Sequence, residues 1–214
     1  MTLRRPARKT MALAAATSLL ALPLSACSSP FGGGAPKAVA SVPSVTGRST
    51  AIKLDAGFAG ALKKLKLTPG TVGSGKLRNG SLIFPITGGN VTVFKPGEVS
   101  PYVIGQLHHD TSGFSLAAGG TKVTLRNFNV DPGVSRVYGD VLVNGKPAAT
   151  DAYLFSLDGR SLKPLKTQGR LAILTGTKVK ISPVAAPLLD KTFKTKAVKP
   201  GLLVGVATIK VRVK

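Results

Sequence analysis

From Ser81 to Asp158 apolar and polar residues alternate in short runs, each stopped by Gly, Pro, Asn or Asp. Alternation at every second position is the mark of a half-buried strand, because successive side chains point to opposite faces. SLIFPI, NVTVF, YVIGQLHH, GFSLAA, KVTLRNFNV, RVYGDVLVN and AYLFSLD therefore read in turn as strands. Turns are predicted at Thr87-Gly88-Gly89-Asn90, Lys95-Pro96-Gly97, Asp110-Thr111-Ser112-Gly113, Gly119-Gly120, Asp131-Pro132-Gly133 and Asn144-Gly145-Lys146. There Gly supplies a positive φ, and Asp or Asn closes a turn through its side chain. Turn signals about every 8 to 12 residues predict an all-β fold, a mainly antiparallel sandwich or barrel-like meander.

The flanks of this meander carry a different rhythm. Thr50-Ala51-Ile52-Lys53-Leu54 reads as an entry strand, after which Asp55 caps a short amphipathic helix with Phe58, Leu62 and Leu65 on one stripe. We expect this helix to lie as a lid on the sheet. Further on, Leu171, Ile173, Val179 and Ile181 share one parity, which predicts a long strand with Lys178 and Lys180 on its other face. Pro183 stops it, and VAAPLLDKTF reads as a second short helix, broken or restarted at Pro187. A last strand places Ile209, Val211 and Val213 inward and Lys210, Arg212 and Lys214 outward. The two strand-helix units echo each other and are expected to close the two ends of one sheet system.

Ahead of residue 50 the pattern is not that of a folded domain. Residues 1–26 have a basic start, an apolar segment from Met11 to Leu22, and Leu24-Ser25-Ala26 directly before the sole cysteine, Cys27. This is the pattern of a lipoprotein signal peptide, in which the cysteine thiol is diacylated and becomes the first residue after cleavage. Pro6-Ala7 after Arg4-Arg5 favours the general secretory route over the twin-arginine one. Residues 27–49 then read as the lipidated Cys27 and a Ser/Gly/Pro-rich flexible tether, and residues 50–214 as a single β-rich domain. The expected location is the extracytoplasmic face of the cell membrane, with the membrane as partner through the lipid.

Charge changes the list of partners. The chain carries +22, and without the four basic residues of the leader +18 remains. Such a surplus favours polyanions. Export and the scarcity of stacking aromatics, 5% of the chain with no Trp, exclude nucleic acid and leave anionic wall polymers or headgroups.

Candidate chemistry is sparse. Gly70-Thr71-Val72-Gly73-Ser74-Gly75-Lys76 nearly spells a phosphate-binding loop, but Leu77 stands where a Ser or Thr would hold magnesium, and a turn and strand follow instead of a helix. It reads as a Gly-rich surface connection. The acidic residues sit mostly in turns and caps and no nucleophile accompanies them, so the domain reads as non-catalytic. His108-His109-Asp110 is the one local cluster of ligand-capable side chains, and neighbouring strand residues face opposite ways, so the two histidines do not share a site. A closed metal site needs about four ligands, and none is predicted.

The stretch GQLHHDTSGFSL followed by KVTLRNFNVD resembles the HtaA-type domains of actinobacterial envelopes, and SPVAAPLLDKTF resembles the small-residue helix near the end of those domains. The resemblance spans residues 50–214 and implies a β-sandwich of haem-binding type. It carries His109 over as a pocket residue, with Gly105, Gly113 and Phe114 around it. It departs at AGFAGALKKL, where Phe58 stands in the segment that holds an iron-ligating Tyr in the family, so no axial ligand is assigned. The ligand-binding candidates are His108, His109 and Tyr102, with Lys122 or Arg126 as partners for the propionates of a haem. Haem or a similar anionic planar ligand is the implied cofactor; a cationic envelope-interaction protein without a defined pocket is the alternative.

Overall fold

A computed structural model describes residues 35–212. The expected signal peptide, the expected lipidation at Cys27, the first part of the expected tether, Val213 and Lys214 lie outside the described residues. In chain order the elements are β1 (Ala38–Val42), β2 (Arg48–Leu54), α1 (Ala56–Lys64), β3 (Thr68–Gly73), β4 (Lys76–Arg78), β5 (Ser81–Pro85), β6 (Gly88–Phe94), β7 (Val103–Ala118), β8 (Thr121–Asp131) and β9 (Arg136–Val143). They continue with β10 (Lys146–Asp158), β11 (Lys166–Gln168), β12 (Leu171–Ile181), α2 (Ala185–Phe193) and β13 (Leu203–Arg212). The fold is all-β with two short helices among the described residues, and every strand pair is antiparallel.

The sheet order is β1-β6-β7-β8-β9-β10-β12-β13-β2-β5-β4. It closes on itself because β5 and β6 are one bent strand. β5 pairs with β2, and after two residues β6 pairs with β7. At the bend the Ile86 amide donates to the Arg48 carbonyl and the next amide, Thr87, donates to the His108 carbonyl, both at 2.8 Å. Thr87 to Asn90 is thus a change of partner within a strand, where a hairpin turn is expected from the sequence. A Cβ at Gly89 would stand 2.0 Å from the Gln106 carbonyl oxygen, so this glycine permits close backbone approach.

A second expected hairpin is also absent. Asp110 to Gly113 lie inside β7, where three residues, 110–112, oppose the single Asn127 of β8. This bulge is held by the Thr111 amide, which donates to Asn127 Oδ1 at 3.0 Å, and by Asn127 Nδ2, which donates to Asp140 Oδ2 at 2.8 Å. The Gly119-Gly120 and Asn144-Gly145 hairpins form as expected, with positive φ at all four residues.

A bulge likewise alters β12. Its register shifts between Thr175 and Thr177, with Gly176 at φ +101°. The parity flips there, so Val179 and Ile181 face inward as expected, while Ala172 and Leu174 take the inward places assigned to Leu171 and Ile173. One extra residue reverses every side chain beyond it. In β13, Val211 is buried and Lys210 and Arg212 are exposed, as the alternation requires.

Two stretches read as irregular join the sheet. Ala38–Val42, placed in the tether by its composition, pairs with β6, and Val45 is buried with its amide on the Gly89 carbonyl at 2.8 Å. The sheet thus takes in residues ahead of residue 50, because β6 offers an edge and Val42 and Val45 supply apolar cover. The near-phosphate loop is β3, laid along the second half of β7. A Cβ at Gly73 would stand 1.7 Å from the Thr111 carbonyl oxygen, so its glycines serve strand contact.

Both helices lie at one end, where the expectation placed one at each. Asp55 Oδ1 caps α1 by accepting from the Gly57 and Phe58 amides at 2.8 and 3.2 Å. Ser182 caps α2, its hydroxyl oxygen accepting from the Ala185 amide at 2.9 Å while its hydrogen goes to the Tyr153 carbonyl at 2.6 Å. Pro187 falls in the first turn of α2, where a missing N–H is tolerated, and the helix runs unbroken to Phe193. Phe58 and Leu62 of α1 with Leu65 just after it, and Leu189 and Phe193 of α2, surround with Leu116, Ile181 and Leu202 a space of only about 30 Å³. The β7–β8 hairpin turns back beyond this end. The loop residues 96–102, Pro132, Ser135 and 159–165 gather at the opposite one.

Candidate functional site

Between the closed end and those loops the barrel is hollow. A cavity of about 870 Å³ is lined from β2, β5, β6, β7, β8, β9, β10, β12 and β13, within the ~300–1,000 Å³ usual for small-ligand sites. Its walls are small or branched: Val91, Val93, Val103, Ala172, Ala207 and Val211 are typical. These side chains do not reach across a closed sheet, which needs large inward residues to fill its axis.

Towards the helical end the cavity is floored by Phe84, Phe114, Phe128 and Phe155, whose successive ring centroids lie 5.2 to 6.3 Å apart. Their strand neighbours Leu116 and Ile181 already belong to the packing under the helices.

His109 lies in this floor, 1% exposed, with Phe84 edge-on at 6.3 Å. Its Nδ1 is 2.8 Å from the Pro85 carbonyl oxygen, and since a carbonyl only accepts, Nδ1 carries the proton. Nε2 then accepts from the Thr50 hydroxyl at 3.2 Å. The ring thereby ties β7 to β5 and β2 at the bend where the barrel closes. Burial, the largest cause, pulls its pKa down to about 4, against the opposing effects of the Pro85 bond and Asp110. His109 is neutral at ordinary pH.

The mouth is polar. Asp158 stands on the rim with Arg160 Nε at 3.1 Å and Lys180 Nζ at 3.2 Å. The hydrogen bonds from Arg160, and then from Lys180, hold the Asp158 carboxyl down to about 2. Glu98, Ser100, Ser135 and Ser156 complete the polar rim. Tyr102 is there too, its hydroxyl donating to the Leu162 carbonyl at 3.3 Å, and partial burial raises its pKa.

Of the residues singled out in the sequence, His109 and Tyr102 line the same cavity, at its floor and its mouth. His108 does not: it opposes Asn129 and Gly88 on the outer side of the sheet. Lys122 and Arg126 are exposed on the outer face of β8 and line no part of the cavity, because Val123 and Leu125 take the inward positions. They are not placed to pair with a ligand held inside. Phe58 lies under the helices and not in the cavity. The sequence reading put Lys180 on the face of β12 opposite Val179 and Ile181, where it lies, but gave no sign that it meets Asp158 and Arg160 at the rim; the only local signal is the Asp158-Gly159-Arg160 turn at the end of a strand. Among the described residues no three of His, Cys, Asp and Glu come together to hold a metal, and no helix is long and apolar enough to cross a membrane.

No family model and no curated protein matches the sequence. Among solved structures, the chain is similar to the C-terminal domain of HtaA from Corynebacterium glutamicum, with a TM-score of 0.56 at 14% identity over 79% of this chain and 98% of that one. The domain-swapped dimer of a variant of that domain aligns with a TM-score of 0.47 at 13% identity, over 74% of this chain and 92% of that one. The likeness to the C-terminal domain establishes a shared fold.

Proposed function

We propose that this chain is a non-catalytic binding protein of the bacterial cell envelope, exported, anchored through lipid on Cys27, and built to hold a small, mostly apolar molecule with an anionic end inside its barrel. The observation that carries the reading is the cavity itself: about 870 Å³ of Val, Ala, Leu and Phe surface, with charged side chains only at its mouth. A void of this size forgoes the dispersion contacts that a filled core would make. A ligand that occupies it recovers them.

Haem belongs to this ligand class, and the sequence resemblance to HtaA-type domains brings it forward. The walls suit its apolar body. For the iron the residues are less apt: His109 has one nitrogen on Pro85 and the other on Thr50, and the Tyr102 hydroxyl is bonded to Leu162. Haem held here is therefore held by the walls and the rim. His109→Ala would leave such binding largely in place, whereas filling the cavity would abolish it.

The test is titration of the full chain with anilinonaphthalene sulfonate, an apolar sulfonic acid that brightens out of water, with haem as competitor, at low and high salt. Saturable, salt-resistant binding that Ala207→Phe removes supports a cavity ligand. Binding that vanishes as salt screens the surface returns the protein to the other reading, a cationic module for anionic wall polymers or headgroups. That reading draws on the outward Lys122, Arg126, Lys178, Lys210 and Arg212, all exposed.

A further inference from the structure

The cavity's two ends differ in what they offer a guest. At the floor, the polar atoms of His109 and Thr50 are spent on each other and on the Pro85 carbonyl. A ligand reaching there finds no partner for a polar group and must present hydrocarbon. At the rim, Arg160 is 92% exposed and Lys180 31% exposed in their side chains. Asp158 engages Nε and Nη2 of Arg160 and one ammonium hydrogen of Lys180, which leaves donors on both cations. Between the ends the walls are aliphatic and aromatic, contributed by strands all the way round, so a guest enters lengthwise from the mouth.

A planar macrocycle with a central metal would set that metal among hydrocarbon walls. A single chain with one charged end matches each zone in turn. Resting on the cavity reading, we propose that the site takes a single-chain acid, its alkyl tail running down to the phenylalanine floor beside His109 and its anionic head at Arg160 and Lys180.

The experiment displaces the bound fluorophore from the full chain with a series of saturated carboxylic acids, with the matched alcohols, and with haem. Acid affinity is expected to climb with length by up to about fourfold per methylene, the equivalent of about 0.8 kcal/mol, and to level off once the cavity is filled. The double variant Arg160→Gln, Lys180→Gln is expected to weaken the acids by up to about fivefold, as partly exposed charge pairs do, and to leave the alcohols unmoved. Both side chains are at the surface, so the fold survives the change. Solvent extraction of protein purified without lipid removal, followed by mass spectrometry, separates a free fatty acid from a lysolipid as the natural source of the chain. If haem displaces the fluorophore and no chain acid does, or if affinity is flat with length, the single-chain assignment is wrong while the cavity reading stands. If the fluorophore itself fails to bind saturably, both fall.

Discussion

The two ends of the barrel are made from the same kinds of residue and reach opposite results. At the helical end, Phe58 and Leu62 from α1 and Leu189 and Phe193 from α2 press on Leu116, Ile181 and Leu202 and leave about 30 Å³. At the loop end, inward residues as apolar as these leave about 870 Å³. Hydrophobicity does not separate them. Reach does. A helix laid over the end of a barrel lowers long side chains into it, whereas strand side chains project only from the wall, and Val and Ala do not meet across the axis. The empty end is thus a consequence of small wall residues with no element on top. It is also where a ligand can go.

Truncation should show the difference most strongly. Leu62→Ala at the filled end is expected to cost about 4 kcal/mol, near the upper part of the range for a buried leucine, because its neighbours are fixed on all sides. Leu174→Ala on the cavity wall should cost about 2 kcal/mol, since contacts on one side are already missing. Urea denaturation of the two variants checks this, and equal losses would mean the ends are packed alike.

His109 stands between the two regions and gives the comparison a pH dependence. Its pKa is about 4 in the folded chain against roughly 6.5 unfolded. The unfolded state therefore binds the proton first as pH drops. The contribution of the neutral, buried ring is complete above about pH 6.5 and is lost progressively towards pH 4, about 3 kcal/mol in all. Stability measured across that window should fall with acid in the native protein, and the slope should flatten in His109→Gln. A slope unchanged by the substitution would show that His109 is not the titrating group.

Overpacking sharpens the contrast from the other side. Ala186 on α2 is 1% exposed and Ala207 on β13 is 4% exposed. A phenylalanine at Ala186 has no space and should cost about 1–3 kcal/mol, while at Ala207 it projects into the cavity and should cost close to nothing. Thermal denaturation of the pair distinguishes them. The smallest expected effect concerns the order of α1: Asp55→Ala removes the acceptor for the Gly57 and Phe58 amides and should cost about 1 kcal/mol. Helical content measured by circular dichroism should fall with it, with ligand binding at the far end unaffected.

The legible part of the site is instructive. Parity alone put His108 and His109 on opposite faces, and the resemblance to HtaA-type domains picked His109 as the inward one. Its partners were not legible, since Thr50 and Pro85 are distant in sequence and reach it only where the bent β5–β6 strand changes neighbours. Lys122 and Arg126 were candidates as cations for the propionates of a haem, yet the alternation that buries Val123 and Leu125 turns both outward. Arg160 and Lys180 are brought together by Asp158 from the end of β10.

Local chemistry was enough for most strands of the meander, the Gly119-Gly120 and Asn144-Gly145 hairpins, and the Asp55 cap, because alternation, positive φ and a capping oxygen act within a few residues; it did not show β1, β3 or β11. It was enough, too, for an all-β class. Tertiary structure alone decided that Asp110 to Gly113 is a bulge and not a turn, that Gly176 reverses the parity of β12, that both helices lie at one end, and that the barrel closes at Ile86-Thr87. It also decided that the inside is hollow. A bulge or a bend is stable only when the facing strand supplies its hydrogen bonds, and a void exists only where side chains from opposite walls fail to meet; both depend on residues far apart in the chain.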